Sequence, residues 1–227
     1  ATAASENLFN CLNGGNAEGF VALLTPNFLL AVSGSANPYD AVAGFAEIPP
    51  IGVRSVDNAQ TYGEGRVSVD VVHSGFLAFG PAQVNRSRLF FVEEDGFRRL
   101  DAAEALPVEG ADATIDVQMV DYAFVLSEST VPAGGLVAFD IVNTGAYPHE
   151  FAVVRLPEGV TVEQVLEDPS LEEQIAFFGA NFAGPGGNAS FALENLEAGT
   201  YTVVCFVDEP EGIPHVVRGM VAEFTVR

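Results

Sequence analysis

The chain has 227 residues, of which 48% are hydrophobic, and it contains 23 glycines and 13 prolines. That length suits one large domain or two small ones, and the composition is typical of a folded, turn-rich protein. It carries 31 acidic residues against nine basic ones, all arginine, for a formal net charge of -22. Such a charge repels phosphate backbones and anionic membrane surfaces, so neither nucleic acid nor a membrane surface is an expected partner.

The acidic charge has two interpretations. It keeps the protein soluble, including at high salt, or it steers a cationic partner toward an acidic face. No apolar run approaches the length of a membrane span. The first residues, ATAASENLF, lack the charged and apolar regions of a signal peptide and are compatible with a mature exported protein.

The first hundred residues predict helices followed by strands. Leu8, Phe9 and Leu12 recur on one helical face that ends at Gly14–Gly15, and residues 17–24 predict a second helix before Pro26. Apolar or alternating segments then predict strands at 28–32, 66–72, 86–92 and 97–100. Two helices followed by antiparallel strands form an α+β unit.

The segments LFNCLNGGNAEGFVALLTPNFLLAV and RSRLFFVEEDGFRRLDAAEAL resemble the NTF2-like family, in the branch of SnoaL-like polyketide cyclases and ketosteroid isomerase. The resemblance spans residues 4–106 and implies a cone-shaped α+β domain over residues 1–106. Ketosteroid isomerase uses an Asp base with a Tyr and a protonated Asp as donors. No residue here aligns to that constellation. The candidates are Tyr39, Asp40, Tyr62, Asp70 and His73.

The role of this first domain stays open between catalysis and binding. Catalysis needs a deep polar pocket, whereas a cone filled with Phe and Leu side chains suits binding or assembly, including a homo-oligomer. We expect the non-catalytic role, and therefore no enzymatic activity. Asp70, among strand residues, is expected to face solvent. Cys11 shares the apolar face of Leu8 and Leu12 and is expected to be buried and inert.

Residues 107–113 read as a linker of Pro, Gly and acidic residues, and beyond it the hydrophobic period becomes two. Pro132 with Gly134–Gly135 predicts a turn. Thr161 and Ser170 each begin an apparent capping box, which predicts one or two short helices. Further strands are predicted at 151–155, 189–193, 200–206 and 221–226. Short strands separated by Gly and Pro turns predict a β-sandwich over residues 114–227.

Four scarce side chains recur in this half: His149, Cys205, His215 and Met220. The whole chain has only three histidines, two cysteines and two methionines. Each alone has an ordinary structural explanation, since a strand Cys or Met is usually core. Together, two imidazoles, one thiolate and a weak axial thioether are the donor set of a blue-copper site.

The segments VNTGAYPHEF, LEAGTYTVVC and PHVVRGMVAEFTV resemble the cupredoxin family over about residues 112–227. The resemblance implies an all-β Greek-key sandwich with His149, Cys205 and His215 as equatorial ligands and Met220 as the axial ligand. It implies a copper cofactor that cycles between Cu+ and Cu2+, one-electron transfer to a redox partner protein, and export. His215 would be the electron port, inside an apolar patch of residues 213–217. A basic partner would suit the acidic surface.

Two features bear on alternatives. Glu150 follows His149 where the family often has Asn or Ser; a carboxylate pointing inward would lower the reduction potential, and one pointing outward would not affect it. Three histidines are too few for a multicopper oxidase or a copper nitrite reductase made from this chain alone. Zinc is disfavoured because Met contributes little to a zinc site. The alternative is a metal-free cupredoxin-like scaffold in a structural or binding protein of the cell envelope.

Overall fold

The computed structural model describes residues 1–35, 37–46, 50–74 and 82–227. The chain divides into two compact units. The first contains the described residues of Ala1–Phe76 and Asn85–Leu106, and the second those of Leu77–Val84 and Pro107–Arg227. No helix among the described residues is long and apolar enough to cross a membrane.

Helices precede strands in the first unit. Its elements are α1 (Thr2–Asn13), α2 (Ala17–Ala22), α3 (Pro26–Ser33), α4 (Pro38–Ala46), β1 (Gly52–Thr61), β2 (Val67–Ser74), β3 (Gln83–Glu94, of which the first two residues belong to the second unit) and β4 (Phe97–Leu106). The pairs β1–β2 and β3–β4 are antiparallel. Leu8 and Phe20 from the helices form one core with Val69 and Phe91 from the strands.

The strand predicted at residues 28–32 is wrong, because this segment lies in α3. The Thr25 hydroxyl accepts a hydrogen bond from the amide of Phe28, and Pro26 occupies the first turn. An N-cap followed by Pro favours a helix start over a strand. The helix ends at Gly34, whose φ of 72° is left-handed. Local capping therefore outweighed the apolar run.

Two predictions about buried groups in this unit are also wrong. Asp70 is 2% exposed and does not face solvent. Its carboxylate accepts hydrogen bonds from Arg88 Nε at 2.7 Å, from Arg86 Nη2 at 3.3 Å and from the Asn58 amide at 3.0 Å. The bond from Arg88, in the main, lowers the pKa of Asp70 against the opposing effect of burial. Cys11 is only partly buried.

The second unit is a β-sandwich. Its elements are β5 (Ala113–Val120), β6 (Ala123–Leu126), β7 (Thr130–Val131), β8 (Leu136–Asn143), β9 (His149–Arg155), α5 (Val162–Glu167), β10 (Ala176–Ala183), β11 (Asn188–Glu194), β12 (Gly199–Val204) and β13 (Val221–Val226). One sheet has the order β11-β8-β5-β6 and the other β10-β9-β12-β13-β7. The hydrophobic period of two that was predicted beyond the linker is confirmed in β5, where Ile115, Val117 and Met119 are all buried between the sheets with Phe139 and Phe224.

A helical insertion separates β9 from β10. The predicted capping box of α5 is confirmed, with the side chains of Thr161 and Gln164 each accepting from the other residue's amide. The second predicted box is wrong. Ser170 lies inside a 3-10 turn, Pro169–Gln174, whose N-cap is Asp168, and the Asp168 carboxylate accepts from the amide of Ser170. A residue that precedes Pro is well placed to begin such a turn.

Candidate metal centre

The four predicted ligands lie at the ends of neighbouring strands. His149 is the first residue of β9, and Cys205 directly follows the last residue of β12. These two strands pair, with Val204 opposite Ala152. His215 begins the 3-10 turn that precedes β13, and Met220 comes directly before that strand. The pairing of β9 with β12 therefore brings residues far apart in sequence to one edge of the sandwich.

Backbone hydrogen bonds tie the segment between Cys205 and His215 into a closed loop. The amide of His215 donates to the carbonyl of Val207, and the amide of Val216 donates to that of Cys205, both at 2.9 Å. A further bond at 2.9 Å joins the amide of Glu209 to the carbonyl of Ile213. The loop is thus an irregular hairpin that fixes the spacing of the thiol and the imidazole.

Three donor atoms meet inside this edge. His149 Nδ1 lies 3.0 Å from His215 Nδ1, and Cys205 Sγ lies 3.4 Å from His215 Nδ1 and 4.0 Å from His149 Nδ1. All three residues are buried. The point equidistant from the three atoms lies about 2 Å from each, the usual length of a bond between a transition metal and an imidazole nitrogen. Two imidazoles and a thiolate in one triangle fit copper.

Met220 is buried in the same apolar cluster as Cys205. Its amide donates to the carbonyl of His215 at 3.1 Å, so the two residues belong to one turn. Gly219 between them has a φ of 90°, a left-handed conformation that suits glycine. This turn links the backbone of Met220 to that of His215, and the methionine side chain lies in the same apolar core as Cys205.

A carboxylate that the sequence analysis missed orients His149. Asp121 Oδ1 lies 3.1 Å from His149 Nε2. Burial alone would raise the pKa of Asp121, but bonds from the amides of Ala146 and Tyr147 and from His149 outweigh it and lower the pKa. The ionised Asp121 accepts a hydrogen bond from the Nε2–H group of His149, which leaves the Nδ1 atom without a proton and facing the triangle. In the sequence, Asp121 looks like an ordinary turn residue between β5 and β6.

The pKa of the Cys205 thiol depends on its burial and on two backbone amides. Burial raises its pKa, while the amides of Glu150 and Val207 lower it by donating to sulfur. The Glu150 amide lies 3.3 Å from Sγ. The backbone at this position thus supplies a bond to sulfur whatever the side chain.

The Glu150 side chain is buried. It is 9% exposed, and its carboxylate accepts from the amide of Phe206 at 3.3 Å. Burial raises the pKa of Glu150. The side chain therefore links the segment after His149 to the segment after Cys205.

His215, the residue expected to be the electron port, is 1% exposed. The ring of Tyr122 packs edge-on against it at 5.1 Å between centroids, and that of Tyr147 lies at 6.2 Å. Burial and the neighbouring His149 lower the pKa of His215, which keeps the ring in the neutral form that binds metal. Its Nε2 atom is buried and hydrogen-bonds to none of the described residues.

An ion pair helps to cover this side of the site. Arg218 donates to both carboxylate oxygens of Glu209, at 3.1 and 2.9 Å. Glu209 in turn raises the pKa of Tyr122 to about 12, so the phenol stays protonated. Within the predicted apolar patch of residues 213–217, Val217 is exposed and Val216 is buried.

Two of the candidates named for the first unit, Tyr39 and Asp40, lie at the surface, whereas Asp70 and His73 are buried. Tyr39 is 88% exposed on α4, and Asp40 accepts a hydrogen bond from Ser35 at the surface. Asp70 and His73 are buried in β2, and the Asp70 carboxylate is engaged by arginines. A depression of about 480 Å³ between α1 and β1 is lined by other residues.

Comparison with known proteins gives structural likenesses over about half of this chain. No protein-family model and no curated protein matches it. It is similar to dithionite-reduced auracyanin from the photosynthetic bacterium Roseiflexus castenholzii, with 26% identity over 52% of this chain and 99% of that one and a TM-score of 0.40. It is similar to auracyanin A, a "blue" copper protein from Chloroflexus aurantiacus, with 22% identity, coverage of 54% and 100%, and a TM-score of 0.36. It is also similar to amicyanin from Paracoccus versutus, with 20% identity over 54% of this chain and 85% of that one and a TM-score of 0.29.

Proposed function

We propose that this chain is a copper protein with a type 1 site at His149, Cys205, His215 and Met220. The observation that carries the proposal is the buried triangle of His149 Nδ1, His215 Nδ1 and Cys205 Sγ, with sides of 3.0, 3.4 and 4.0 Å. Copper held there would supply one-electron chemistry between Cu+ and Cu2+. The triangle suits that use because its three donor residues are buried and methionine is a weak axial donor.

The residues around the triangle have separable roles in this proposal. Asp121 holds the His149 ring in one tautomer, the amide of Glu150 bonds to the Cys205 sulfur, and the hairpin after Cys205 keeps His215 in place. Tyr122 and Tyr147 shield His215 from water. Rigid positioning of this kind limits rearrangement between oxidation states, which is what an electron carrier requires.

A copper titration tests the proposal. We expect Cu2+ to give an intense blue colour at one equivalent, and Cys205→Ser to abolish it because the colour needs the thiolate. Cys11→Ser is the matched control, since Cys11 is the other free cysteine and lies in the first unit. It should leave the colour unchanged.

The metal-free alternative makes the opposite prediction for the same experiment. Bare of metal, the two Nδ1 atoms at 3.0 Å can hydrogen-bond to each other, and a scaffold protein would need nothing more. Such a protein would show no colour and no copper-dependent change in melting temperature. If the chain does bind copper, free copper at a hundred times its dissociation constant should add about 2.7 kcal/mol to the free energy of unfolding.

The wider role belongs to the same proposal. We infer one-electron exchange with a basic redox protein, because a net charge of -22 favours a cationic partner. An extracellular, periplasmic or cell-surface location rests on the resemblance of residues 112–227 to cupredoxins. Fractionation of the source cells tests it, and recovery in the cytoplasm would contradict it.

For the first unit we propose a non-catalytic binding or assembly role on an NTF2-like cone. The support is a core closed by side chains from both helices and strands, such as Phe20 and Phe91. Sedimentation of the full chain over a range of concentrations tests assembly. A purely monomeric species at high concentration would remove assembly from the proposal.

A further inference from the structure

An apolar groove borders the metal-ligand segments on the outer face of the sandwich. It encloses about 310 Å³ between the helical insertion and the sheet of β9, β10 and β12. Three of its lining residues, Val204, Phe206 and Val216, are sequence neighbours of Cys205 or His215. The groove therefore lies directly against the backbone of two of the proposed ligands.

The walls of this groove present large apolar side chains to solvent. Phe206 is 49% exposed, Leu166 is 42% exposed and Phe177 is 37% exposed. They come from three different elements: the loop after β12, helix α5 and strand β10. Apolar side chains gathered from separate elements around one depression are typical of a surface that binds a partner.

The charge around the groove selects the kind of partner. The insertion that forms one wall, residues 156–176, contains acidic side chains and no basic one. They are Glu158, Glu163, Glu167, Asp168, Glu172 and Glu173. All are exposed, and Glu172 lines the groove itself. An apolar floor beside a wall of carboxylates complements an apolar anchor flanked by Arg or Lys.

We propose that this groove is the docking site for a basic redox protein that inserts an apolar side chain between its own cationic residues. The inference rests on the proposed function, and it places the contact with the partner at this groove and not at the His215 ring. Because His215 is buried under two tyrosines, the approach through that ring predicted from the sequence is covered, whereas Phe206 is open and bonded directly to Cys205. A second copy of this chain is a poor occupant of this groove, because it would bring further acidic residues against the carboxylates of residues 156–176.

Calorimetric titration with a basic cytochrome c as the probe tests the proposal on the full chain at low ionic strength. Leu166→Gln removes an exposed apolar contact without opening the core, and we expect it to weaken binding about fivefold or more. Val125→Gln is the matched control, since Val125 is 53% exposed on β6 in the other sheet. It should change the affinity less than about twofold.

A pair of charge variants tests the acidic wall. The double variant Glu163→Gln with Glu167→Gln removes two charges from the insertion. The control variant, Asp116→Asn with Glu128→Gln, removes two charges from β5 and from the turn after β6. We expect the first variant to bind more weakly than the control and to show a smaller dependence of affinity on salt. Equal effects of the two pairs, equal effects of Leu166→Gln and Val125→Gln, or no binding of cytochrome c would each overturn the proposal. So would sedimentation showing that the groove joins two copies of this chain.

The metal-free chain is titrated alongside the copper-loaded one, which separates this proposal from the proposed function. Groove-dependent binding by a chain that gives no blue colour would support the docking site and remove the copper role. A chain that turns blue with copper, but whose binding of cytochrome c is unchanged by the groove variants, would support the copper role and remove the docking site.

Discussion

At the scale of single residues, Asp121 is the side chain on which the orientation of His149 depends. Asp121→Asn keeps the shape but removes the charge that holds the Nε2 proton. We expect copper affinity to fall about tenfold to a hundredfold, the usual cost of losing such a partner to a ligating histidine. Competition with a copper chelator measures it, with Asp116→Asn, on the preceding strand β5, as the control. Equal affinities for the two variants would contradict the role of Asp121.

The two methionines form a second matched pair at this scale. Met220 and Met119 are both fully buried in the same core. Met220→Leu should keep the blue colour but raise the reduction potential, because the substitution removes a donor that favours Cu2+. Each tenfold loss of affinity for Cu2+ relative to Cu+ raises the reduction potential by about 59 mV. Met119→Leu should leave the potential unchanged. Voltammetry decides, and equal potentials for the two variants would remove Met220 from the site.

At the scale of elements, the turn before β9 leaves room for the contact between Asp121 and His149. A Cβ at Gly145 would lie 2.9 Å from His149 Nε2 and would also meet the Asp121 carboxylate. Gly145→Ala should therefore displace one of the two and weaken copper binding about tenfold. Gly184→Ala, where a Cβ would meet nothing within 4 Å, is the control. Unchanged copper binding in both variants, by the same chelator competition, would show that this space is not needed.

Elements with a regular hydrophobic period were predictable, and so was α5 from its capping box, whereas α3 was not. The strand at Val221–Val226 was placed to the residue, and β5 follows the alternation of its apolar side chains. The segment at 28–32 is apolar enough for a strand, but Thr25 and Pro26 make it a helix. Strand β1 is exposed along most of its length, so it has no alternation to detect.

The donor triangle was predictable in part for a related reason. Scarce His, Cys and Met side chains are easy to recognise in a sequence, and the structure brings His149, Cys205 and His215 together. Asp121, Tyr122 and Tyr147 gave no such signal, because their roles arise from contacts across distant turns. The burial of His215 follows from those same contacts, and no pattern in the sequence indicated it.

At the scale of the whole molecule, the buried carboxylate of Asp70 should dominate the acid sensitivity of the first unit. Asp70→Asn should cost about 2 kcal/mol at neutral pH, because Arg88 and Arg86 lose their charged partner. Asp57→Asn, at the exposed position opposite Asp70 on β1, is the control and should cost little.

The pH dependence of that difference follows from the lowered pKa of Asp70. The ionised carboxylate contributes its full stability above the unfolded pKa of about 3.9 and loses it as the pH falls through the lower folded value. The gap between the native protein and Asp70→Asn should hold constant down to about pH 4 and close below it. Urea unfolding at a series of pH values measures the gap, and one that widens on acidification would contradict the assignment.

X-ray absorption at the copper edge of the loaded full-length chain tests the central claim most directly. We predict one sulfur at about 2.2–2.3 Å and two imidazole nitrogens at about 2.0 Å, matching the triangle of Cys205, His149 and His215. The sulfur should disappear in Cys205→Ser and persist in Cys11→Ser. A shell of nitrogen and oxygen alone in the native protein would contradict a type 1 site in this sandwich.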